Sequence, residues 1–324
     1  MLSFNAPGQG SQKPGMLADW LERPGARARL EQWSAASGLD LVTLGTTASK
    51  DEIRDTAVTQ PLVVAAALLA AAELRDRGLL PEAEVSPADD RHRDTVVAGH
   101  SIGELAALAM AGVISDDDAV LLAAIRGSAM AKACADHDTS MVAVLGGREN
   151  EVRTAIADAG LYPANINASG QIVAAGDAAA CAALSENPPT RAKVRQLEVA
   201  GAFHTPFMQS AVEEFATAAA AVTVSDPECT LLSNVDGQAV SSGHEALDRV
   251  VSQVTSPVRW DLCSQTQTEL GVSAFIELPP SGALAGIAKR QMRGVDRLAM
   301  QGPDDLDSAN SLAMSASASL YHCA

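Results

Sequence analysis

Apolar residues in this chain come in short β-branched runs separated by longer alanine- and leucine-rich stretches, the pattern of strands alternating with helices. Leu2–Ala6 reads as a short buried strand that ends in the turn Pro7-Gly8-Gln9-Gly10-Ser11-Gln12. A helix is predicted from Gln60-Pro61 to Leu79, with Pro61 early enough that its missing N–H costs nothing. Thr95-Val96-Val97-Ala98 is short and β-branched, hence a second buried strand. After Gly99-His100-Ser101-Ile102-Gly103 come a helix over Glu104–Met110 and another that starts at the N-cap Ser115 and runs to about Ala133. Asp116, Asp117 and Asp118 favour its positive end.

The middle of the chain has a different rhythm. Strands are expected at 141–145, 162–167, 171–175 and 193–199, and helices at 149–159 and 177–186. That order is β-α-β-β-α-β, the split pattern of a ferredoxin-like unit, here inserted into a larger α/β unit. The predicted division is 1–135 with 200–300 for the large domain and 136–199 for the insert. Beyond it, a helix from Phe207, strands near Leu231 and Ala274, and helices over 243–253 and 283–290 return to the first rhythm. Residues 301–324, rich in Ser, Ala and Asp, read as a flexible tail, and 81–94 as a charged, solvated linker.

Composition narrows the possibilities. A chain of 324 residues allows about two units of roughly 150 residues each. Aromatics make up only 3%, which suits alanine-lined helices on a sheet. The net charge of −17 argues against nucleic acid as a partner. The start shows no basic, apolar leader, and the run Leu62–Ala72 falls short of the ~20 residues that span a bilayer. A cytoplasmic protein with no membrane partner is expected. The five cysteines, Cys134, Cys181, Cys229, Cys263 and Cys323, are scattered and never paired as C-x-x-C, which disfavours a disulfide framework or a structural zinc site.

The chemistry concentrates at Gly99-x-Ser101-x-Gly103. A sharp strand-to-helix turn exposes the serine, and the helix N-terminus leaves N–H groups beside it, Ile102's among them. A nucleophilic serine needs a base. Of the six histidines, His92, His137, His244 and His322 lie in polar or terminal segments, and His100 is expected to point away from its neighbour Ser101. His204, in the apolar loop Ala202-Phe203-His204, remains the candidate. Arg126 stands in an otherwise apolar helical run, where a guanidinium needs either a structural ion-pair partner or a ligand carboxylate.

Taken with Ala6–Gln12, Gly201–Pro206, Asn234-Val235-Asp236-Gly237 and Gln253–Trp260, these motifs resemble the malonyl-CoA:acyl-carrier-protein transacylase family over roughly residues 2–300. The resemblance implies a larger α/β hydrolase-like domain with a parallel sheet plus the ferredoxin-like insert. It implies a Ser101–His204 dyad without a carboxylate, with His204 oriented by the backbone carbonyl of Gln253. It places an oxyanion hole at the Gln9 and Ile102 N–H groups, the malonyl carboxylate on Arg126, and Asn167 near the site. It also implies a ping-pong malonyl transfer in fatty-acid biosynthesis and selection of malonyl over methylmalonyl through Phe203. The partners would be malonyl-CoA and an acyl carrier protein, with no metal or other cofactor and a monomeric enzyme. Arg191, Lys193 and Arg195, and Lys289, Arg290 and Arg293, are the candidate basic patches for an acidic carrier. Competing readings are a serine esterase, a patatin-like Ser-Asp hydrolase using Asp236, and an inactive carrier-binding module. Asn5-Ala6, Leu105 and Glu277–Gly282 depart from the family's usual residues.

Overall fold

The computed structural model describes residues 1–81 and 94–320. Most of the charged linker, with His92, and residues 321–324, with His322 and Cys323, lie outside the described residues.

Among the described residues, ten strands form two sheets. In chain order they are β1 (Leu2–Ala6), β2 (Thr95–Gly99), β3 (Thr139–Gly146), β4 (Tyr162–Ala168), β5 (Gln171–Asp177), β6 (Ala192–Gln196), β7 (Thr230–Leu232), β8 (Ala239–Val240), β9 (Ala274–Glu277) and β10 (Asp296–Ala299). The larger sheet has six strands in the order β10-β9-β1-β2-β7-β8, parallel except for the terminal β7–β8 pair. Its centre, β1 and β2, is buried on both faces, which explains why those strands read as continuous apolar runs.

The smaller sheet has four strands, β4-β5-β3-β6, all antiparallel. Alternation divides its faces. Val142, Val144, Ile166, Ile172 and Ala174 pack with Val152 and Ile156 of the helix Glu149–Asp158 and with Cys181 and Leu184 of the helix Ala178–Glu186. The opposite face carries Met141, Ala143, Asn165, Asn167, Gln171 and Val173, all of which line a cleft against the large sheet. Backbone bonds fasten the two units together: Ile166 N–H donates to Val258 O at 2.9 Å, and Val258 N–H to Ala164 O at 2.9 Å.

Three expectations are corrected. The helix expected from Gln60 begins at Thr56, capped by Asp55, and ends at Asp76; Pro61 is therefore inside it. At 21 residues it is long and apolar enough to cross a membrane, but it is buried in the protein core, packed against the helix Asp116–Ala135. The expected tail is instead largely a helix, Leu306–Leu320. Its composition suggested solvent, but Leu306, Ala309, Ala313 and Ala316 recur at helical spacing and are buried. The turn Asp19–Glu22 and the helices Ala26–Ser37, Leu41–Thr46 and Trp260–Glu269 add elements where none had been expected, with Trp20, Trp33 and Trp260 in the core.

Two departures from the family's usual residues have a structural use. Asn5 ties β1 to its surroundings by donating to Ile276 O at 3.3 Å and accepting from Gln267 Nε2 at 3.1 Å. Glu277, fully buried, receives the N–H groups of Gly282, Leu284 and Ala285 at 2.8–3.0 Å and so caps the helix Ala283–Gln291. That helix supplies Leu284, Ile287 and Arg290 to the cleft.

Candidate active site

The cleft encloses about 340 Å³ between the two sheets. Ser101 stands at its floor, on the turn between β2 and the helix Gly103–Met110. The turn is as tight as the flanking glycines permit. A Cβ on Gly99 would lie 2.0 Å from the carbonyl carbon of Gly103, and one on Gly103 would lie 2.4 Å from Ala6 O. Ser101 itself takes φ +54°, a left-handed conformation that costs a non-glycine residue about 1–2 kcal/mol. Asn234 holds it there: its Oδ1 accepts Ser101 N–H at 2.8 Å, and its Nδ2 donates to Gly99 O at 2.8 Å.

His204 arrives from the far side of the sequence. Its loop is pinned by Thr139 Oγ1, which accepts Ala202 N–H at 3.0 Å, and by Thr205 Oγ1, which donates to Ala202 O at 2.6 Å. With φ +60°, His204 is also left-handed. Its Nε2 lies 2.7 Å from Ser101 Oγ, and its Nδ1 lies 2.8 Å from the carbonyl oxygen of Gln253. Gln253 ends the helix Gly243–Gln253, where carbonyls lack intrahelical partners. Nδ1 therefore carries the hydrogen and Nε2 presents its lone pair to the serine hydroxyl. Burial, and then Arg126 nearby, push the imidazole down to about 3, against the pull of the Gln253 carbonyl.

Arg126 is 1% exposed and makes no ion pair among the described residues. Its Nη1 donates to Gln60 Oε1 at 2.7 Å and its Nη2 to Gln253 Oε1 at 3.0 Å, while its Nε has no partner among the described residues. A buried guanidinium held only by neutral amides, with a donor left over and a place in the cleft lining, has capacity for an anion. Gln9 and Ile102 also line the cleft, and their backbone N–H groups find no acceptor among the described residues. Asn167 lines it too; its Oδ1 is 2.8 Å from His100 Nε2. His100 packs edge-on against Trp260, and among the described residues the serine hydroxyl bonds His204, not His100. Phe203, Met130, Met141, Leu197 and Val199 supply apolar lining to the cleft.

Asp236, the acid of the patatin-like alternative, is engaged with Arg249 at 2.9 Å, well occupied away from Ser101. Residues that the sequence reading left without a role complete the floor. Glu104, 4% exposed, accepts Asn234 N–H on Oε1 at 2.7 Å and Gln253 Nε2–H on Oε2. Burial pushes its carboxyl up to about 8, with Asn234 N–H and Arg126 opposing. Gln60 escaped notice because it sits in the first turns of an apolar helix, and its signal was only that a glutamine there is buried.

A floor serine with an imidazole at its hydroxyl, free N–H groups beside it and an unneutralised arginine in one cleft is an arrangement chemically able to carry out serine-dependent acyl transfer. Residues 3–314 match the acyl transferase domain, and the chain belongs to that family of acyltransferases. It is 55% identical over 307 residues to the malonyl CoA-acyl carrier protein transacylase of Mycobacterium tuberculosis, across 95% of this chain and 98% of that one. The crystal structure of MCAT from Mycobacterium tuberculosis superposes with a TM-score of 0.90 at 55% identity, covering 95% of this chain and 99% of that one. A malonyl-transacylase solved in complex with its type II PKS acyl-carrier protein is similar at a TM-score of 0.83 and 28% identity, covering 95% of this chain and 98% of that one.

Proposed function

We propose that this cleft transfers a malonyl group from malonyl-CoA to the phosphopantetheine thiol of an acyl carrier protein, in fatty-acid biosynthesis, through a malonyl ester on Ser101. The observation that carries the residue assignment is the continuous contact from Ser101 Oγ to His204 Nε2 and from His204 Nδ1 to Gln253 O.

In the first half-reaction Ser101 Oγ attacks the thioester carbonyl while His204 Nε2 takes its proton. The oxyanion is received by the Gln9 and Ile102 N–H groups, each worth ~3 kcal/mol in such a role. Collapse breaks the C–S bond, and His204 returns the proton to the departing coenzyme A thiolate. In the second half, His204 removes the proton of the carrier's thiol, sulfur attacks the ester, and the proton goes back to Ser101 Oγ. Arg126 grips the malonyl carboxylate throughout, with Asn167 bordering the same space. Phe203 narrows the room at the α-carbon, which disfavours a methyl by ~1–3 kcal/mol. Hydroxyl, imidazole and backbone donors suffice for these steps, so no metal or redox cofactor is invoked.

The acidic carrier needs a basic landing place on an acidic enzyme. Arg191, just before β6, and Lys193 and Arg195 on it are exposed and without ion-pair partners among the described residues, and Arg290 bonds Gln171 Oε1 at 2.5 Å at the cleft mouth. We read the protein as a cytoplasmic monomer. We also read residues 1–135 with 200–300 as a hydrolase-like domain and 136–199 as a ferredoxin-like insert. The strand order β4-β5-β3-β6, with a helix after β3 and another after β5, supports the second half of that division.

Intact-protein mass spectrometry tests the proposal. With malonyl-CoA the wild-type protein gains one malonyl adduct, which the holo carrier removes, and Ser101→Ala gains none. An adduct that persists in Ser101→Ala would assign the nucleophile elsewhere.

A further inference from the structure

We infer that Glu104 is a positioning residue that sets the direction of the buried hydrogen-bond chain joining Arg126 to the nucleophile turn. The inference rests on the acyl-transfer reading and deepens it. A glutamine or asparagine amide can face either way, so its orientation must be dictated by neighbours. Here both ends of the chain are of one kind only. Arg126 can only donate, and it offers Nη2 to Gln253 Oε1 at 3.0 Å. Glu104 turns each of its oxygens to an N–H donor, Asn234 N–H at 2.7 Å and Gln253 Nε2–H, and these donors together with Arg126 favour the carboxylate against the burial that raises it, so in this arrangement both oxygens accept.

Between these ends the Gln253 amide has one permitted orientation: oxygen to the arginine, nitrogen to the carboxylate. The same Nε2 reaches Ser101 O at 3.3 Å and Asn234 Oδ1 at 3.1 Å. Asn234 Oδ1 in turn takes Ser101 N–H at 2.8 Å. Glu104 thus fixes the amide that supports Arg126 and, through the Asn234 backbone, the residue that clamps the serine turn. It also places a carboxylate near Arg126 with an amide interposed. The guanidinium is held without being neutralised by direct contact, which leaves it able to take a substrate carboxylate.

Glu104→Gln changes one oxygen to a donor at nearly constant shape. Either Gln253 or Asn234 then faces donor against donor, and relief by flipping Gln253 turns an NH2 group onto Arg126. In competition between malonyl-CoA and acetyl-CoA, read by intact mass, the folded Glu104→Gln enzyme should lose about tenfold or more of the wild-type preference for malonyl. The loss should appear mainly in KM for malonyl-CoA, a split that general destabilisation would not produce. Gln253→Met, which keeps the backbone carbonyl that holds His204 but removes the amide, should lose preference in the same direction, and it decides the matter if Glu104→Gln does not fold. Wild-type preference in either folded variant overturns the inference. Wild-type protein run alongside separates the two claims: if it takes up no malonyl on Ser101, the acyl-transfer reading fails instead.

Discussion

On the floor of the cleft, Ser101 is held by glycines that tolerate no Cβ, by an asparagine that binds both sides of the turn, and by a network with buried polar ends. At the edge of the smaller sheet, β6 shows solvent the cations Lys193 and Arg195, with no ion-pair partner among the described residues. The first region stores strain at two left-handed residues and surrounds it with enough hydrogen bonds to allow one arrangement. In the second, the β3–β6 ladder holds the backbone and a left-handed Arg191 leads into it, but the exposed cationic side chains meet no carboxylate among the described residues that would fix them. With β6 as the proposed landing place for the carrier, the contrast separates chemistry, which depends on tenths of an ångström, from partner recognition, which depends on long-range attraction and tolerates variation.

The largest effect should come from filling the floor. Gly99→Ala and Gly103→Ala each force an atom within 2.4 Å of backbone and should abolish folded protein or lower the thermal midpoint by many degrees. Gly286→Ala is the control: it lies in a helix with nothing within 4 Å, so it should be neutral or raise stability by about 0.5–1 kcal/mol. Equal tolerance at all three positions would erase the distinction between floor and periphery.

Arg126→Ala comes next. Removing one member of a buried, hydrogen-bonded charge pair costs about 2–5 kcal/mol. Malonyl-enzyme formation should therefore fall by about 30-fold or more while acetyl-enzyme formation holds or rises. An unchanged malonyl-to-acetyl ratio would leave Arg126 a structural residue.

Proton linkage gives a third test. The unfolded imidazole titrates near 6.5 and the native His204 near 3, so between those values the unfolded chain takes up a proton that the native state refuses. His204's contribution to stability is thus complete above about pH 6.5 and declines by about 1.4 kcal/mol per pH unit as the pH falls toward 3. In kinetics, the acid limb of kcat/KM should lie below the ordinary histidine range. A substrate carboxylate on Arg126 removes one of the influences that depress the imidazole, so the acid limb of kcat should lie higher. Coincident limbs near 6.5 would contradict a dry, arginine-facing base.

The smallest effect belongs to β6. Lys193→Glu should leave malonyl-enzyme formation unchanged and slow transfer to the carrier several-fold at low ionic strength, less in high salt. Equal transfer rates would move the landing site elsewhere, with Arg290 the next candidate.

The readable parts of the sequence were those with local causes. Gly99-x-Ser101-x-Gly103 announces its turn within a few residues, and short apolar runs set between helical stretches placed the strands of the insert. The Leu306–Leu320 helix was missed because serine-rich composition was weighed above the spacing of its buried alanines. The Glu104–Gln253–Asn234 network was not readable at all. Its members lie 19 to 149 residues apart, and no local pattern records which buried amide will meet which carboxylate.

The most direct test is a crystal of the wild-type enzyme soaked briefly with malonyl-CoA and frozen before the ester is lost. The account predicts an ester on Ser101 Oγ, its carbonyl oxygen at the Gln9 and Ile102 N–H groups, and the free carboxylate against Arg126. An acyl group on any other side chain, or a carboxylate turned away from Arg126, would contradict it.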